Sequence, residues 1–367
     1  MQLSDNDVTQ PYSHLLHIVL CVDNIMVSQR TTIKDVAKQA GVSIKTVSRV
    51  INDEPYVRDA TRQRVLDAID SLGFVVSQPA KRLSSGQSYT IGLIFHNASW
   101  HYIQNVQRGV LETVRKRGGY SALLHPCDTN CRDDIKEILN LVHQSMVDGF
   151  IFTPPVDNDR ELIENLQQLD VPFIRLTPQD RKSPLPYVTA TDLQGAFEMT
   201  DYLIGLGHRR IGFIHGPVEQ RAAHDRFKGY KQALTKANLE FDPNLIQKGN
   251  DLFDSGTRAS SILLELDPLP SAIFCNNDEM AAGAITAVFE QGLHVPGEIS
   301  VAGFDNIPLA SQIWPPLTTV NQPIFEIAET ATNHLIRLLS GEDVKQLYHE
   351  LSTNLVIRKS TAVYNST

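Results

Sequence analysis

The sequence predicts an α/β protein in which a small all-helical head precedes a two-lobed body of parallel sheets covered by helices. Two short helical patterns joined by a glycine, within residues 31–62, indicate the head. Short apolar runs that alternate with helical patterns from Tyr89 onward indicate parallel strands with covering helices. This alternation continues for about 280 residues, which is more than one ordinary doubly wound sheet uses, so two lobes with a cleft are expected.

The head begins with a capped helix. Thr32, with Asp35 three residues later, has the spacing of a capping box and opens the first helix. Gly41 ends that helix and permits a tight turn, after which Ser43 can cap a second helix. Apolar residues recur at helical spacing and give the first helix one apolar stripe: Ile33, Val36, Ala37 and Ala40.

The second helix is predicted from Ile44 to about Asn52, with Val47, Val50 and Ile51 facing inward. The outward-facing residues are Ile44, Lys45, Thr46, Ser48, Arg49 and Asn52. Two short helices joined by a glycine turn, the second displaying Lys, Arg and small polar residues, match a helix-turn-helix, whose partner is duplex DNA. Taken alone, the segment also fits a plain helical hairpin with a solvated face.

A hinge follows the head. A third helix is predicted up to a stop at Gly73, and Ser77 can cap a further short helix before a Ser/Gly-rich linker at residues 84–88. The stretch also fits a disordered connector. The adjacent cations Lys81 and Arg82, followed by an exposed leucine, favour a short helix that touches DNA.

Charge is unevenly distributed along the chain. Residues 30–88 hold ten Lys and Arg against six Asp and Glu, whereas the rest holds 23 against 36. A basic head on an acidic body fits a DNA-binding module attached to a body that does not bind DNA. The excess of positive charge is modest, so strong phosphate attraction requires two copies acting together.

The four cysteines form no disulfide framework, and the chain is too large to need one. His125 lies near Cys127 and Cys131, but the spacing is not C-x-x-C and no second ligand pair follows. Burial as ordinary residues is therefore the preferred interpretation, and we expect neither a metal nor a cofactor.

Residues 1–29 are predicted to be an unstructured extension. The apolar stretch at residues 15–22 is too short to span a bilayer, and its flank is acidic (Asp5, Asp7) where a secretory signal would be basic. The expectation is a cytoplasmic protein without a membrane partner. Met26 lies five residues before Thr31, so residues 1–25 are candidates for an upstream extension absent from the native protein.

In the body, strands are predicted at residues 91–95, 121–125, 149–153, 173–176, 211–215, 272–275 and 300–304. Helices are predicted between them, including residues 103–117, 135–146, 193–206, 226–237 and 279–291. Ligands of such folds bind outside the carboxyl ends of strands. The loops that follow Phe95, Thr153, His215, Cys275 and Phe304 are therefore the candidates for a binding site.

Eight motifs occur in order along the chain: Thr32-Ile33-Lys34-Asp35-Val36-Ala37, Gly41-Val42-Ser43, Thr46-Val47-Ser48-Arg49-Val50-Ile51-Asn52, Gly205-Leu206-Gly207-His208-Arg209-Arg210-Ile211, Arg226-Phe227-Lys228-Gly229-Tyr230, Asn277-Asp278-Glu279-Met280-Ala281, Gly303-Phe304-Asp305 and Pro316-Leu317-Thr318-Thr319-Val320. With these motifs the chain resembles the lactose-repressor and purine-repressor family of bacterial transcription regulators, over residues 31 to about 361. The resemblance implies a helix-turn-helix domain at 30–76, a hinge helix and linker at 77–88, and a two-lobed effector-binding and dimerisation domain at 89–361.

The resemblance also implies a homodimer or tetramer whose body is like periplasmic sugar-binding proteins and whose head binds double-stranded operator DNA. DNA contacts are implied for Thr32, Ser43, Ile44, Lys45, Thr46, Ser48, Arg49, Asn52, Tyr56, Ala80 and Leu83. Among them, Ile44 and Lys45 occupy the variable positions that set operator preference, and Leu83 matches a leucine that wedges into the minor groove. Ser77 stands where many members carry Asn, which puts the cap of the hinge helix in doubt.

In the cleft, effector contacts are implied for Asn97, Tyr102, Arg226, Asn277 and Asp305. Arg, Asn and Asp together offer the donors and acceptors that suit vicinal hydroxyls of a sugar. The expected function is therefore repression of carbohydrate-utilisation genes, controlled by a small sugar-like effector. Arg226 alternatively forms only a surface ion pair with Asp225, and Trp100 is either a pocket ring or core. Many members place a pocket-closing aromatic where this chain has Asp251, with Phe253 nearby, so the ligand can differ.

Two other classes of function were weighed against a regulator. An enzyme needs a catalytic constellation, and the sequence contains no G-x-x-x-x-G-K-[ST], H-E-x-x-H or G-x-S-x-G motif. A solute-binding protein or a sensor with a non-sugar ligand would share the body, but a transport protein should carry a signal peptide and lack the basic head. Operator binding discriminates among these classes.

Overall fold

The computed structural model describes residues 31–51, 54–74, 86–96, 99–128, 131–342 and 348–364. The predicted N-terminal extension, most of the predicted hinge, and the candidate contacts Asn52, Ala80, Leu83 and Asn97 lie outside the described residues. The chain divides into two compact units, Met1–Gly86 and Gln87–Thr367. Among the described helices, none is long and apolar enough to cross a membrane.

The head contains three helices: α1 (Ile33–Ala40), α2 (Ile44–Ile51) and α3 (Asp59–Ser71). Gly41 has a φ of 63°, the left-handed conformation that glycine adopts without a steric penalty, and it makes the predicted turn between α1 and α2. The three helices bury one small apolar core: Val36, Ala37, Ala40, Val47, Val50, Val65 and Ala68. The apolar stripes predicted for α1 and α2 therefore face each other and α3.

The first lobe of the body is a six-stranded parallel sheet with the order β11-β5-β4-β3-β1-β2. Its strands are β1 (Thr90–Phe95), β2 (Ser121–Pro126), β3 (Gly149–Phe152), β4 (Phe173–Leu176), β5 (Tyr187–Ala190) and β11 (Tyr348–Leu351). Its helices are α4 (Trp100–Arg117), α5 (Arg132–His143), α6 (Arg160–Gln168) and α12 (Ile324–Leu339).

The second lobe is a four-stranded parallel sheet with the order β7-β6-β8-β9. Its strands are β6 (Ile211–His215), β7 (Ile246–Lys248), β8 (Ala272–Cys275) and β9 (Ser300–Ala302). Its helices are α7 (Asp192–Gly205), α8 (Arg221–Lys236), α9 (Phe253–Leu263), α10 (Asp278–Glu290) and the short α11 (Leu309–Gln312). The strands β10 (Thr319–Asn321) and β12 (Asn354–Val356) form a separate antiparallel pair.

Both sheets are covered on both faces, which explains why the central strands, such as β1, β3, β6 and β8, are buried along their whole length. In β1, Leu93 belongs to the core shared with α4 and α12, whereas the next residue, Ile94, belongs to the core shared with α5 and α6. The second lobe likewise has one apolar core on each face of its sheet. The two-lobed arrangement predicted from the length of the alternation is confirmed.

The two lobes are joined where the chain passes between β5 and α7, between β10 and α12, and between β11 and β12. Side chains of the crossing segments hydrogen bond to one another. The backbone amide of Thr353 donates to Thr191 Oγ1 at 2.9 Å, and Gln322 Nε2 donates to Asp192 Oδ1 at 3.2 Å. These bonds fix the base of the cleft, because they tie together three segments that are far apart in sequence.

Among the helices that begin earlier than predicted, two change the position of candidate site residues. Helix α4 begins at Trp100 rather than at residue 103, so Trp100 and Tyr102 lie in its first turn and not in a loop. Helix α8 begins at Arg221 rather than at residue 226, so Arg226 lies in its second turn. The side chain of Ser99 caps the amino end of α4, a start signal that the apolar periodicity alone did not reveal.

Candidate effector pocket and DNA-reading surface

Helix α2 presents the side chains that were predicted to contact DNA. Ser43, Ile44 and Lys45 are exposed, whereas Thr46, Ser48 and Arg49 are half-buried. Ser43 caps the helix, because its Oγ accepts a hydrogen bond from the backbone amide of Thr46 at 3.2 Å. The predicted DNA contacts on α2 therefore start at its amino end, which Ser43 caps. Val47 and Val50 are buried on the opposite side of the helix.

Arg49 is held in place by an ion pair within the head. Its Nε lies 3.4 Å from Glu54 Oε2, and both side chains are nearly half exposed. An ion pair of this exposure contributes about 0–1 kcal/mol to stability. Arg49 can therefore leave Glu54 and contact the edge of a base at little energetic cost. Of the other predicted contacts, Tyr56 is 89% exposed, and Thr32 is engaged with Asp35, whose Oδ2 accepts from the Thr32 amide and hydroxyl at 2.8 and 2.7 Å.

In the body, a cavity that is partly open to solvent lies between the two lobes. Tyr102, Arg226, Asn277 and Asp305, four of the five predicted effector contacts, line it together. They come from α4 in the first lobe, and from α8 and the segments after β8 and β9 in the second. The cavity therefore occupies the position outside strand carboxyl ends at which such folds bind ligands.

A buried ion cluster forms the floor of this cavity. Arg226 Nη2 lies 3.0 Å from Asp192 Oδ1 and 2.9 Å from Asp305 Oδ1, and its Nη1 donates to the Asn276 carbonyl at 2.6 Å. The guanidinium also lies over the Phe304 ring, 3.8 Å from its centroid. The alternative of a surface ion pair with Asp225 is wrong: Arg226 is only 4% exposed, and Asp225 pairs with Arg181 and Arg221 instead.

The electrostatics of the cavity are dominated by carboxyl groups. Burial, together with the neighbouring Asp251 and Asp192, raises the pKa of Asp305 to about 7 in spite of the adjacent Arg226. Burial also raises the pKa of Asp192 and of Asp251. Burial and the carboxylates of Asp305 and Asp192 raise the pKa of Tyr102, which keeps its hydroxyl protonated.

Asn277 has a structural role in addition to lining the cavity. Its Oδ1 accepts from the backbone amide of Met280 at 2.9 Å and so caps α10, while its Nδ2 donates to the Asp251 carbonyl at 2.9 Å. Since both ends of the amide are engaged by the protein, Asn277 has one N–H left for a ligand. Its predicted role as an effector contact is therefore limited to that one donor.

The rings considered near the pocket have different environments. Trp100 is 64% exposed, so the alternative of a core residue is wrong, and it does not line the cavity. Phe253 is 41% exposed and also does not line it, whereas Asp251 does. Asp251 therefore contributes a carboxyl group to this pocket, and neither nearby ring contributes to its lining.

Several lining residues were not predicted from the sequence: His96, Ser99, Thr177, Gln220 and Gln322. Thr177 directly follows β4, and Asp192 comes two residues after β5. The position of Thr177 and Asp192 after buried strands is a signal that could have identified them, because polar residues at that position mark the ligand-binding edge of a sheet. For Asp192 the signal was missed because β5 was not among the predicted strands.

Two polar contacts cross the cleft away from the ion cluster. Glu279 Oε1 in the second lobe accepts from Ser99 Oγ at 2.7 Å and lies 3.2 Å from His101 Nδ1 in the first lobe. Arg181 of the first lobe and Asp225 of the second form an ion pair at 3.1 Å. These contacts stabilise the arrangement of the lobes that encloses the cavity.

His125, Cys127 and Cys131 lie near one another in the sequence. Cys127 is buried, and within the described residues no group of three or more His, Cys, Asp or Glu side chains could hold a metal ion.

A helix-turn-helix head followed by a two-lobed body with a ligand-sized cavity defines the class of DNA-binding regulators with a built-in effector domain. The chain belongs to the lacI family of bacterial regulatory proteins, whose model matches residues 32–77, and a periplasmic binding protein-like domain matches residues 200–361. It is 35% identical to catabolite control protein A of Priestia megaterium, over 90% of this chain and 99% of the relative. It is 34% identical to the transcriptional repressor CytR of Escherichia coli K12, over 90% and 96%.

Solved structures agree with this assignment. The lac repressor dimer bound to operator and the anti-inducer ONPF aligns with a TM-score of 0.75 and 29% identity, over 91% of this chain and 100% of that chain. A complex of the transcriptional regulator CelR with cellobiose aligns with a TM-score of 0.69 and 29% identity, over 90% and 100%. The predicted fold class and family are confirmed.

Proposed function

We propose that this protein is a sequence-specific repressor of carbohydrate-utilisation genes, and that a small sugar-like effector bound between the lobes controls its binding to operator DNA. The observation that carries the proposal is the cavity in which Arg226, Asp305 and Asn277 meet beside Tyr102. Such an enclosed set of polar groups, with an aromatic ring in its wall, suits a polyhydroxylated ligand of small size.

The assembly that the proposal requires is a homodimer. One head presents a single recognition helix, whereas two heads related by a twofold axis reach successive major grooves of a near-palindromic operator. Residues 30–76 would bind the DNA, residues 77–88 would form the hinge, and residues 89–361 would bind the effector and the second copy. The structure of CelR with cellobiose and that of a lac repressor dimer on its operator support this division of roles by similarity.

The effector half of the proposal is tested by calorimetry. The full chain is titrated with a panel of monosaccharides and disaccharides, and each compound that binds is then added to the protein–operator complex. The expected result is a sugar that binds and changes operator affinity by about 1–3 kcal/mol of coupling. Binding of a purine or an amino acid, with no binding of any sugar, would contradict the sugar assignment.

The DNA half of the proposal is tested on α2. Arg49→Ala should remove about 1–3 kcal/mol of discrimination between operator and random duplex while leaving weak, salt-sensitive binding, because a bidentate arginine reads guanine and any cation attracts phosphates. Arg64→Ala is the matched control, since Arg64 is an exposed arginine of the same head on α3. Unchanged discrimination in Arg49→Ala would show that Arg49 does not read the operator.

A further inference from the structure

The charged donor of the effector cavity is engaged by the protein, whereas an acceptor in the cavity wall has no partner among the described residues. The Arg226 guanidinium is already shared among Asp192, Asp305 and the Asn276 carbonyl, and the Gln322 amide nitrogen donates to Asp192. Gln322 Oε1, by contrast, is buried at the cavity wall and has no hydrogen-bond partner among the described residues. A ligand that satisfies this wall must therefore bring donors.

Asp251 is the most unusual of the acceptors. It lines the cavity, is 7% exposed, and among the described residues receives side-chain hydrogen bonds from neutral amides: Asn276 Nδ2 at 2.9 Å and the side chain of Gln220. Within the part of the chain that the structure describes, no Lys, Arg or His side chain forms an ion pair with it. Buried carboxylates are ordinarily paired with a cation, so a cationic group is missing from this arrangement.

The charge of Arg226 lowers the pKa of Asp251, but the cations near the cavity form their ion pairs with other carboxylates. Arg226 is bound by two other carboxylates, and Arg221 is engaged with Asp225 at 2.9 Å. Glu279, at the mouth of the cleft, adds one more acidic group near Asp251. Burial raises the pKa of Asp251 and of Asp305, and the charge of Arg226 offsets this effect only in part.

We propose that the effector is a sugar-like molecule that carries a protonated amino group, and that Asp251, together with Asp305, receives this group. The inference rests on the proposed function, because it names the ligand class of that same cavity. An ammonium group brings three donors and one positive charge, which matches two buried carboxyl groups and the unpartnered oxygen of Gln322. A neutral sugar supplies donors but leaves Asp251 without a counter-charge.

The test uses sugars that differ only in one substituent. The full chain is titrated at neutral pH with glucosamine, galactosamine and mannosamine, and in parallel with their hydroxyl counterparts glucose, galactose and mannose. The N-acetylated forms provide a third set, which keeps the nitrogen and removes the charge. We expect at least one amino sugar to bind about tenfold or more tightly than both of its counterparts, because its charge-assisted bonds are the stronger ones.

A pair of variants assigns the preference to Asp251. Asp251→Asn keeps the shape and suits the backbone, since Asp251 has a φ of 66° and Asn tolerates that conformation better than most residues. Asp254→Asn, the same substitution at an exposed position three residues away, is the matched control. The preference for the amino sugar should fall below about threefold in Asp251→Asn and stay unchanged in Asp254→Asn.

The comparison on the wild-type protein stands even if a variant fails to fold. A neutral sugar that binds as tightly as its amino counterpart, or a preference that survives in Asp251→Asn, would overturn this inference and leave the proposed function intact. Failure of every sugar in this panel to bind would also overturn the inference, whereas the proposed function is contradicted only if the wider panel of monosaccharides and disaccharides fails to bind as well.

Discussion

Replacing Arg226 by methionine tests whether the buried ion cluster determines the stability of the body. The variant keeps an apolar stem over Phe304 and removes the only cation in contact with Asp192 within the described residues, so that Asp192 and Asp305 remain as buried carboxyl groups. Breaking a buried pair by removal of one partner costs about 3–5 kcal/mol. We expect the free energy of unfolding to fall by that amount at pH about 8, a pH at which both carboxyl groups are ionised in the unfolded chain and must be buried without a cation in the variant.

The pH dependence of this loss follows from the pKa of the two acids. Asp192 and Asp305 already have raised pKa values with Arg226 present, and its removal raises them further. An acid whose pKa is higher in the folded state than in the unfolded chain binds more protons in the folded state at pH values between the two. The free energy of unfolding therefore falls as the pH rises from about 4 through the folded pKa. The loss in Arg226→Met should therefore be smaller at pH about 5 than at pH about 8.

The assay is urea unfolding followed by circular dichroism at both pH values, with Arg221→Met as the control. Arg221 is 42% exposed, and its partner Asp225 retains Arg181 after the substitution, so a loss within about 1 kcal/mol is expected. In addition, Arg226→Met combined with Asp305→Asn should be more stable than Arg226→Met alone, because one uncompensated carboxyl group has been removed. A loss in Arg226→Met no larger than in Arg221→Met, or one independent of pH, would refute the reasoning.

Three further predictions concern the fold, the cleft and the hinge. Asp157 is buried with both carboxylate oxygens unpartnered among the described residues, and burial raises its pKa to about 7. The wild-type protein therefore loses stability as this group ionises between pH 5 and pH 8, whereas Asp157→Asn does not. In urea unfolding, the stability of Asp157→Asn relative to wild type should increase by about 2 kcal/mol from pH 5 to pH 8. Glu279→Gln removes the negative charge that faces Ser99 and His101 across the cleft, and calorimetry should show effector affinity reduced about two- to fivefold. Leu83→Ala should weaken operator binding and reduce DNA bending in a gel-mobility assay; unchanged bending would show that Leu83 is not the wedge.

The parts of the fold that the sequence predicted well are those with a local signal. The capping pair Thr32 and Asp35, the glycine turn at Gly41 and the fully buried runs of β1, β4, β6 and β8 each determine structure over a few residues. The three-residue strands β7 and β10 carry no such signal, because their pairing is decided by neighbours far along the chain.

The candidate site illustrates the same limit at the level of side chains. Arg226 and Asp305 were predicted through motifs, but their common partner Asp192 was not, since it is separated from Arg226 by 34 positions and follows a strand that the pattern did not reveal. The start of α4 was missed for a different reason: Ser99 caps it, while the first apolar residue at helical spacing comes later, at Ile103. Tyr102 was therefore assigned to the correct side of the pocket but to the wrong kind of element.

The amino end of α10 joins the parts of the body that an effector would have to couple. Asn277 caps the helix and holds the Asp251 backbone, and Asp278 accepts hydrogen bonds from the Ile307 amide and the Thr319 hydroxyl. The next residue, Glu279, contacts the opposite lobe. A ligand bound at Asp251 therefore acts on the same helical turn that spans the cleft, and it can shift operator affinity only by the difference in its affinity for the two lobe arrangements.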